Sequence, residues 1–363
     1  MSALTPTVRW AIRGAVLVAL IVYPLVVPQP GFWVVNIGIK SIWLGVAALS
    51  LIFLFKSTGL LSLGQLAFWG MAGYTIGYLV QMQEWPYVPA ILLALVFGTA
   101  LGAIVGAFAV RASGVYFLML TLAIAQLMFF IALQAQQFTR GHQGITGIRP
   151  PEILGLDLNN AYVLYFVALA TAVALYALTQ YLAATPFGLA LQGLKDSPER
   201  MQALGYNVYA YKVLAFTYAA FIASAAGVLA VFYNRQIVPD GVGLIRTIDV
   251  LVAAVLGGVG SFAGAFLGST VQTMLFNFAQ FFTSRHLTLI GVVFVVVVLF
   301  FPQGIAGLIA QFRGYGRAIR RRGGPPASSE APGTAPSGDG SSGGEADTGA
   351  LTEGARKKAT RSD

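Results

Sequence analysis

Two short segments combine glycine with small polar side chains inside otherwise apolar sequence: Gly59-Leu60-Leu61-Ser62-Leu63-Gly64-Gln65 and Leu256-Gly257-Gly258-Val259-Gly260-Ser261. Glycine costs a helix interior about 1 kcal/mol relative to alanine, so each segment should interrupt its helix. Non-helical backbone within a bilayer persists only where protein or a water-filled cavity satisfies its polar groups. Ser62, Gly64, Gln65, Gly257, Gly258, Gly260 and Ser261 are therefore candidates to line a path through the bundle, as half-helices do near the bilayer midplane. Simple close packing of helices is the competing explanation.

Other chemistry is sparse. His142 and His286 are the two histidines; each stands alone on an expected outer loop, so neither catalysis nor metal or cofactor binding is expected. Ion coupling usually leaves an ionisable residue inside the membrane, and only Lys40 and Asp249 qualify. Asp249 falls at the outer end of an expected span, and Lys40 is placed to snorkel to the interface, which explains both structurally. No Gly-x-x-x-x-Gly-Lys-Ser/Thr phosphate loop occurs. Energy for active transport would then enter through another subunit, docked on a cytoplasmic element.

The connection from Thr185 to Lys212 supplies such an element. Ser197 is placed to cap a helix of about two turns that starts at Pro198, where a missing N–H costs nothing, and Gly205 suits its left-handed ending. Lys195, Asp196, Glu199 and Arg200 give it charge; Met201, Ala203 and Leu204 give it a small apolar face. Such a helix fits a groove on a partner and passes rigid-body movement to the flanking spans. A capped linker helix resting on the bilayer surface has the same composition.

These segments need a membrane to hold them. Hydrophobic residues make up 57% and charged residues 10% of the 363, against roughly a quarter charged in soluble domains. The fold class expected is all-α: a polytopic transmembrane bundle of about ten spans with interrupted helices. Apolar stretches place the spans near residues 12–28, 33–55, 60–82, 88–110, 114–135, 161–182, 213–233, 248–265, 266–282 and 287–302. The first is read as an uncleaved helix, since Arg9 and Arg13 precede an apolar run without a small-residue cleavage site. Lys and Arg concentrate in the expected cytoplasmic loops and tail, so the net charge of +9 follows the positive-inside rule and requires no nucleic-acid partner. An even span count puts both termini in the cytoplasm, and 136–160 and 234–246 outside, where they offer a docking surface.

Gly98, Gly102 and Gly106, and likewise Gly260, Gly264 and Gly268, recur at four-residue spacing, which lets helices approach closely. The permease domain is expected over residues 1–310, with a coupling loop at 185–212. From 311 to 363 a basic tail, rich in Gly, Ser and Pro from about Gly323, is too polar to bury a core and is expected to be disordered, lying near anionic lipid. Cysteine is absent.

At this point the motifs become recognisable. Gly59 to Phe68, then Gly70 and Gly73-Tyr74-Thr75, resemble the signature of the branched-chain amino acid ABC transporter permeases. The likeness continues through Gly114-Val115-Tyr116-Phe117, Thr121-Leu122-Ala123, Gln143 to Ile148, Thr185-Pro186-Phe187-Gly188, Ala203 to Val208, Tyr211 to Phe216, Val255 to Ser261 and Phe300 to Gly304. It covers roughly residues 35 to 310 and looks closer to the longer of the two paired permeases. Leu189 and Gln192 stand where the family commonly has basic residues, Lys56 where a small one precedes the signature, and Ser224 where glycine is frequent.

The resemblance implies an ATP-driven importer in a bacterial inner membrane. Its partners would be a second homologous permease, two ABC ATPases and a periplasmic or lipid-anchored solute-binding protein that delivers the solute and holds most of the selectivity. Branched-chain amino acids are the expected solutes; related systems carry urea, short amides or other small solutes. Lys195, Asp196, Ser197, Glu199, Arg200, Ala203, Leu204 and Gly205 become the expected ATPase-coupling set. Tyr74, Tyr116 and Thr121 join the candidates for the translocation path. From another class, a stand-alone secondary transporter or a membrane scaffold shares the composition.

Overall fold

The computed structural model describes residues 18–24, 31–153, 155–282 and the single positions 291 and 304. A π-helical segment, Gly31–Ile39, runs directly into α1 (Lys40–Thr58). There follow α2 (Gln65–Gln81), α3 (Tyr87–Ala109), α4 (Gly114–Gln134) and α5 (Ala161–Ala184). Two short helices, α6 (Pro186–Asp196) and α7 (Pro198–Ala203), lead to α8 (Val208–Asn234), α9 (Leu244–Gly257) and α10 (Phe262–Phe282).

Burial separates centre from periphery. The apolar window of Gly31–Thr58 is 83% buried and that of α8 72%, against 28% for α3, 22% for α4 and 33% for α5. Helix α8 packs against α1, α2 and α3, while α10 packs along α1. Leu92, Val96, Ile104 and Phe108 on α3, and Met119, Leu127 and Phe130 on α4, are exposed. In water such faces would be large apolar patches; lipid or a partner helix covers them in a membrane.

Glycine sets the closest contact. A Cβ at Gly98, Gly102 or Gly106 would strike Ser224, Ala220 or Phe216 of α8 respectively. The four-residue step upward on α3 matches a four-residue step downward on α8, so the two helices run antiparallel with their backbones nearly touching. The second glycine series is corrected. Gly264 and Gly268 press α10 against the backbone of Ala253, Gly257 and Gly258, but a Cβ at Gly260 meets nothing, because Gly260 lies in the turn between helices.

Five helices among the described residues are long and apolar enough to cross a membrane, or up to six with the pair that includes α9 and α10, which is bent by 115°. Helix α2 has 17 residues, short of the roughly 20 that a hydrocarbon core demands, because non-helical chain takes the start of the expected 60–82 span. The expected boundary between spans at 265 and 266 is also corrected. Helix α9 stops at Gly257, since Gly258 takes φ +95°, and α10 starts at Phe262. The expected spans 12–28 and 287–302 lie largely, and the tail from 311 wholly, outside the described residues.

The segments expected outside do meet. Strand β1 (Ile145–Thr146) pairs antiparallel with β4 (Gln236–Ile237), Ile145 opposite Ile237, and Arg235 Nη2 donates to Asn159 Oδ1 at 2.7 Å. Between them β2 (Glu152–Ile153) and β3 (Leu156–Asp157) form a small hairpin. At the other end of the bundle, Tyr209 Oη donates to the Ala107 carbonyl at 2.6 Å, with Arg111 over the same ring.

Candidate functional site: two helix breaks and a coupling element

Helix α1 ends at Gly59, whose φ of +76° is left-handed and whose N–H caps back onto the Phe55 carbonyl. The chain from 59 to 64 is non-helical, and its backbone donors find side chains. Leu60 N–H donates to Thr58 Oγ1 at 3.3 Å, Leu63 N–H to Thr121 Oγ1 at 3.1 Å, and Gly64 N–H to Ser62 Oγ at 3.1 Å. Ser62 and Thr121 are fully buried. Thr121 lies seven residues into α4, roughly 10 Å along its axis, so the break reaches well into the bundle. Satisfaction by protein groups is what allows it there.

Gln65, the first residue of α2, is 3% exposed, yet neither its amide nitrogen nor its oxygen has a hydrogen-bond partner. An unpaired buried amide costs about 1–3 kcal/mol, a strain that a purely packing role does not explain. The structure thus brings together Ser62, Gly64, Gln65 and Thr121. Tyr74 lies nine residues, about two and a half turns, beyond Gln65 on the opposite face of α2, its hydroxyl also unpartnered. Tyr116 is 79% exposed on α4 and stands apart from the cluster.

The second break closes as a tight turn. Ser261 N–H donates to the Gly258 carbonyl at 3.3 Å and Gly264 N–H to that of Ser261 at 2.9 Å. Gly257 is packed so closely that a Cβ would strike the Gly264 carbonyl; Gly260 is exposed in the turn. Asp249 and Val250 of α9 share one cavity with Gln272 and Thr273 of α10 and with Lys40 of α1. Both legs therefore line one cavity, and α9 and α10 fold back on each other as a bent hairpin with its tip at 258–261. The two breaks adjoin, because Lys56 Nζ sits 4.0 Å from the centroid of Phe262.

Between Thr185 and Lys212 the structure has two helices where sequence reasoning finds one. The signal for α6 is Thr185-Pro186, the same small-polar-then-proline start as Ser197-Pro198. Leu191 and Leu194 of α6 are buried. Lys195 Nζ donates to the Lys56 carbonyl at 3.3 Å, and its stem covers Gly59, where a Cβ would lie 3.4 Å from Lys195 Cγ.

Ser197 occupies the N-cap position without capping. Its φ of −155° and ψ of 87° leave the side chain making no cap bond, and its own N–H goes to the Gly193 carbonyl. The far end is as expected: Gly205 at φ +87° closes α7 with Tyr206 N–H to Met201 O and Gly205 N–H to Gln202 O, a Schellman pair. Met201 turns inward onto Gly193, whereas Ala203 is exposed and Leu204 is 73% exposed. Asp196, Glu199 and Arg200 are exposed around them.

Lys40 and Asp249, separate in sequence, share this cavity. Arg246 Nη1 pairs with Asp249 Oδ2 at 3.3 Å, and Lys40 Nζ lies 4.5 Å from the Phe276 ring centroid.

Apolar spans, interrupted helices and an exposed helical pair at one end define a polytopic membrane helix bundle of the permease class. The chain belongs to the family described as branched-chain amino acid transport system / permease component, whose pattern matches residues 33–300. It is 24% identical over 314 residues to the high-affinity branched-chain amino acid transport system permease protein LivM of Salmonella typhimurium strain LT2, covering 80% of this chain and 73% of that protein. Similarity extends to BraD of Pseudomonas aeruginosa, a permease protein of the same description, at 30% over 155 residues, 42% of this chain and 50% of the other. LivH of Escherichia coli K12, another such permease protein, is 28% identical over 146 residues, 38% of this chain and 46% of the other. No solved structure matches this chain.

Proposed function

We propose that this chain is one permease subunit of an ATP-driven importer of branched-chain amino acids in a bacterial inner membrane. In this reading residues 1–310 form the permease domain and both termini are cytoplasmic. A second, LivH-like permease completes the pathway, two ABC ATPases hydrolyse ATP, and a solute-binding protein delivers the amino acid to the face carrying β1 and β4. The chain itself is not an enzyme.

One observation carries the reading. The exposed Ala203 and Leu204 face belongs to a helical pair whose Lys195 is bonded to the backbone next to the first helix break. A partner that pushes α6 and α7 as a rigid body moves the Lys56–Gly59 corner with them, and through Phe262 the hairpin tip. That is the linkage an importer without its own nucleotide site requires. Asp196, Glu199 and Arg200 supply the polar rim of the docking face, and Gly205 and Ser197 its two ends. Ser62, Gly64, Gln65, Thr121, Gly257, Gly258 and Ser261 form the moving part of the pathway.

The test uses the absence of cysteine. Leu204→Cys gives a unique thiol, expected to react with an impermeant maleimide only from the cytoplasmic face and to be shielded when the ATPases are bound. Labelling from the external medium overturns the scheme. Deletion of residues 196–204 should leave the chain inserted while uncoupling ATP hydrolysis from uptake.

A further inference from the structure

The cavity shared by Lys40 and Asp249 has a volume of about 220 Å³, below the roughly 300–1,000 Å³ of pockets for drug-sized ligands. It suits a small solute. Four charged residues line it: Lys40, Arg246, Asp240 and Asp249. Two cations balance two carboxylates, so the wall is net neutral but strongly dipolar. A lone anion or cation would find a repelling group beside every attracting one, whereas a solute carrying both charges finds partners for each.

The rest of the lining sorts by polarity. Trp43, Leu44, Leu66 and Trp69 are contributed by α1 and α2, with the two indoles 6.2 Å apart. These give an apolar floor for a branched aliphatic body. Buried polar atoms of the same wall lack partners: the indole N–H groups of Trp43 and Trp69, Gln272 Oε1 and Thr273 Oγ1. Trp69 is 5% exposed, Gln272 6% and Thr273 1%. Buried polar groups are normally paired; these four sit unpaired in the wall behind the cavity surface, which leaves the four charged side chains as the groups that meet a guest.

The geometry points to a binding site, on this subunit, for a free α-amino acid with an apolar side chain. The carboxylate is met by Lys40 and Arg246. The ammonium is met by Asp249 and Asp240, and the side chain rests against Trp43, Leu44, Leu66 and Trp69. Arg246 and Asp249 pair with each other across 3.3 Å, and the guest's two charges exchange places with that pair. The choice of amino acid rests on the importer reading above; the dipolar recognition rests on the cavity alone.

The full chain in lipid nanodiscs, with Trp10, Trp33 and Trp85 replaced by Phe, leaves Trp43 and Trp69 as the emitting pair. L-leucine should change their emission saturably. 4-Methylpentanoate, which lacks the amine, 3-methylbutylamine, which lacks the carboxylate, and glycine, which lacks the apolar body, should each bind at least tenfold more weakly. Asp249→Asn should weaken leucine at least tenfold while narrowing its advantage over 4-methylpentanoate, and Arg246→Gln should narrow its advantage over 3-methylbutylamine. Leucine without saturable effect, or all four probes binding alike, overturns the site. ATP-dependent leucine uptake by the assembled complex, measured in parallel, separates the two claims. Uptake without binding removes the site and keeps the importer; binding without uptake keeps the site and removes the importer.

Discussion

Lys195 and Lys56 lie 139 positions apart, and the ammonium of the first donates to the backbone carbonyl of the second at 3.3 Å. Two cations converge at that corner because each has its own acceptor surface. Lys56 lies over the ring of Phe262, and Lys195 lies 5.5 Å from the ring of Phe55. The junction joins the exposed helical pair to both helix breaks.

Lys195→Met keeps an apolar stem over Gly59 but loses the donor. It should raise the ATP hydrolysed per solute imported severalfold in proteoliposomes, with the chain still assembled. Lys195→Ala, losing stem and donor, should uncouple further; equal coupling in both variants and wild type would detach this corner from the mechanism.

Thr121→Val removes the oxygen that accepts from Leu63 N–H and leaves a buried donor unpaired. The expected loss is about 1–3 kcal/mol, read as a lower thermal midpoint in detergent. Thr121→Ser should restore most of it, because the hydroxyl is what the break needs.

Gln65→Leu separates packing from transport. Replacing two unpartnered buried polar atoms by an apolar side chain should leave thermal stability equal or higher. Solute flux should fall at least tenfold if the amide serves the pathway. A variant that transports normally would make Gln65 a packing residue.

Gly257→Ala puts a methyl group against the Gly264 carbonyl. Forcing atoms into a filled contact costs about 1–3 kcal/mol, so the hairpin should open or shift. Loss of uptake and a lower midpoint are expected together. Gly260→Ala, which meets nothing, should change neither by more than the scatter of the assay.

Gly102→Val should damage the bundle itself. Its side chain would collide with Ala220, driving α3 away from α8. Reduced yield of monodisperse protein is the expected outcome, with Gly102→Ala milder than Gly102→Val.

Much of this was legible along the chain, for local reasons. A run of apolar residues that must satisfy its own backbone hydrogen bonds becomes a helix, which is why α3, α4 and α5 fall within a few residues of their expected places. Gly59 and Gly258 marked the breaks because each sits at positive φ, where other residues are strained. Gly205 announced the end of α7 for the same reason.

Tertiary structure decided the rest, and the reason is distance in sequence. No local pattern shows that α9 and α10 double back, that Thr121 supplies the oxygen for Leu63, or that α6 lays Lys195 on the Lys56 carbonyl. Ser197 looked like a cap and is not one, because the preceding helix claims its backbone. Lys40 and Asp249 read singly as boundary charges, and only the packing of α1 against α9 and α10 turns them, with Arg246, into the wall of one cavity. Sequence determined which segments become helices and where they break, since those are contests between a residue and its neighbours. Which breaks and charges face one another was settled by close packing over glycine, a property of pairs of helices that neither helix holds alone.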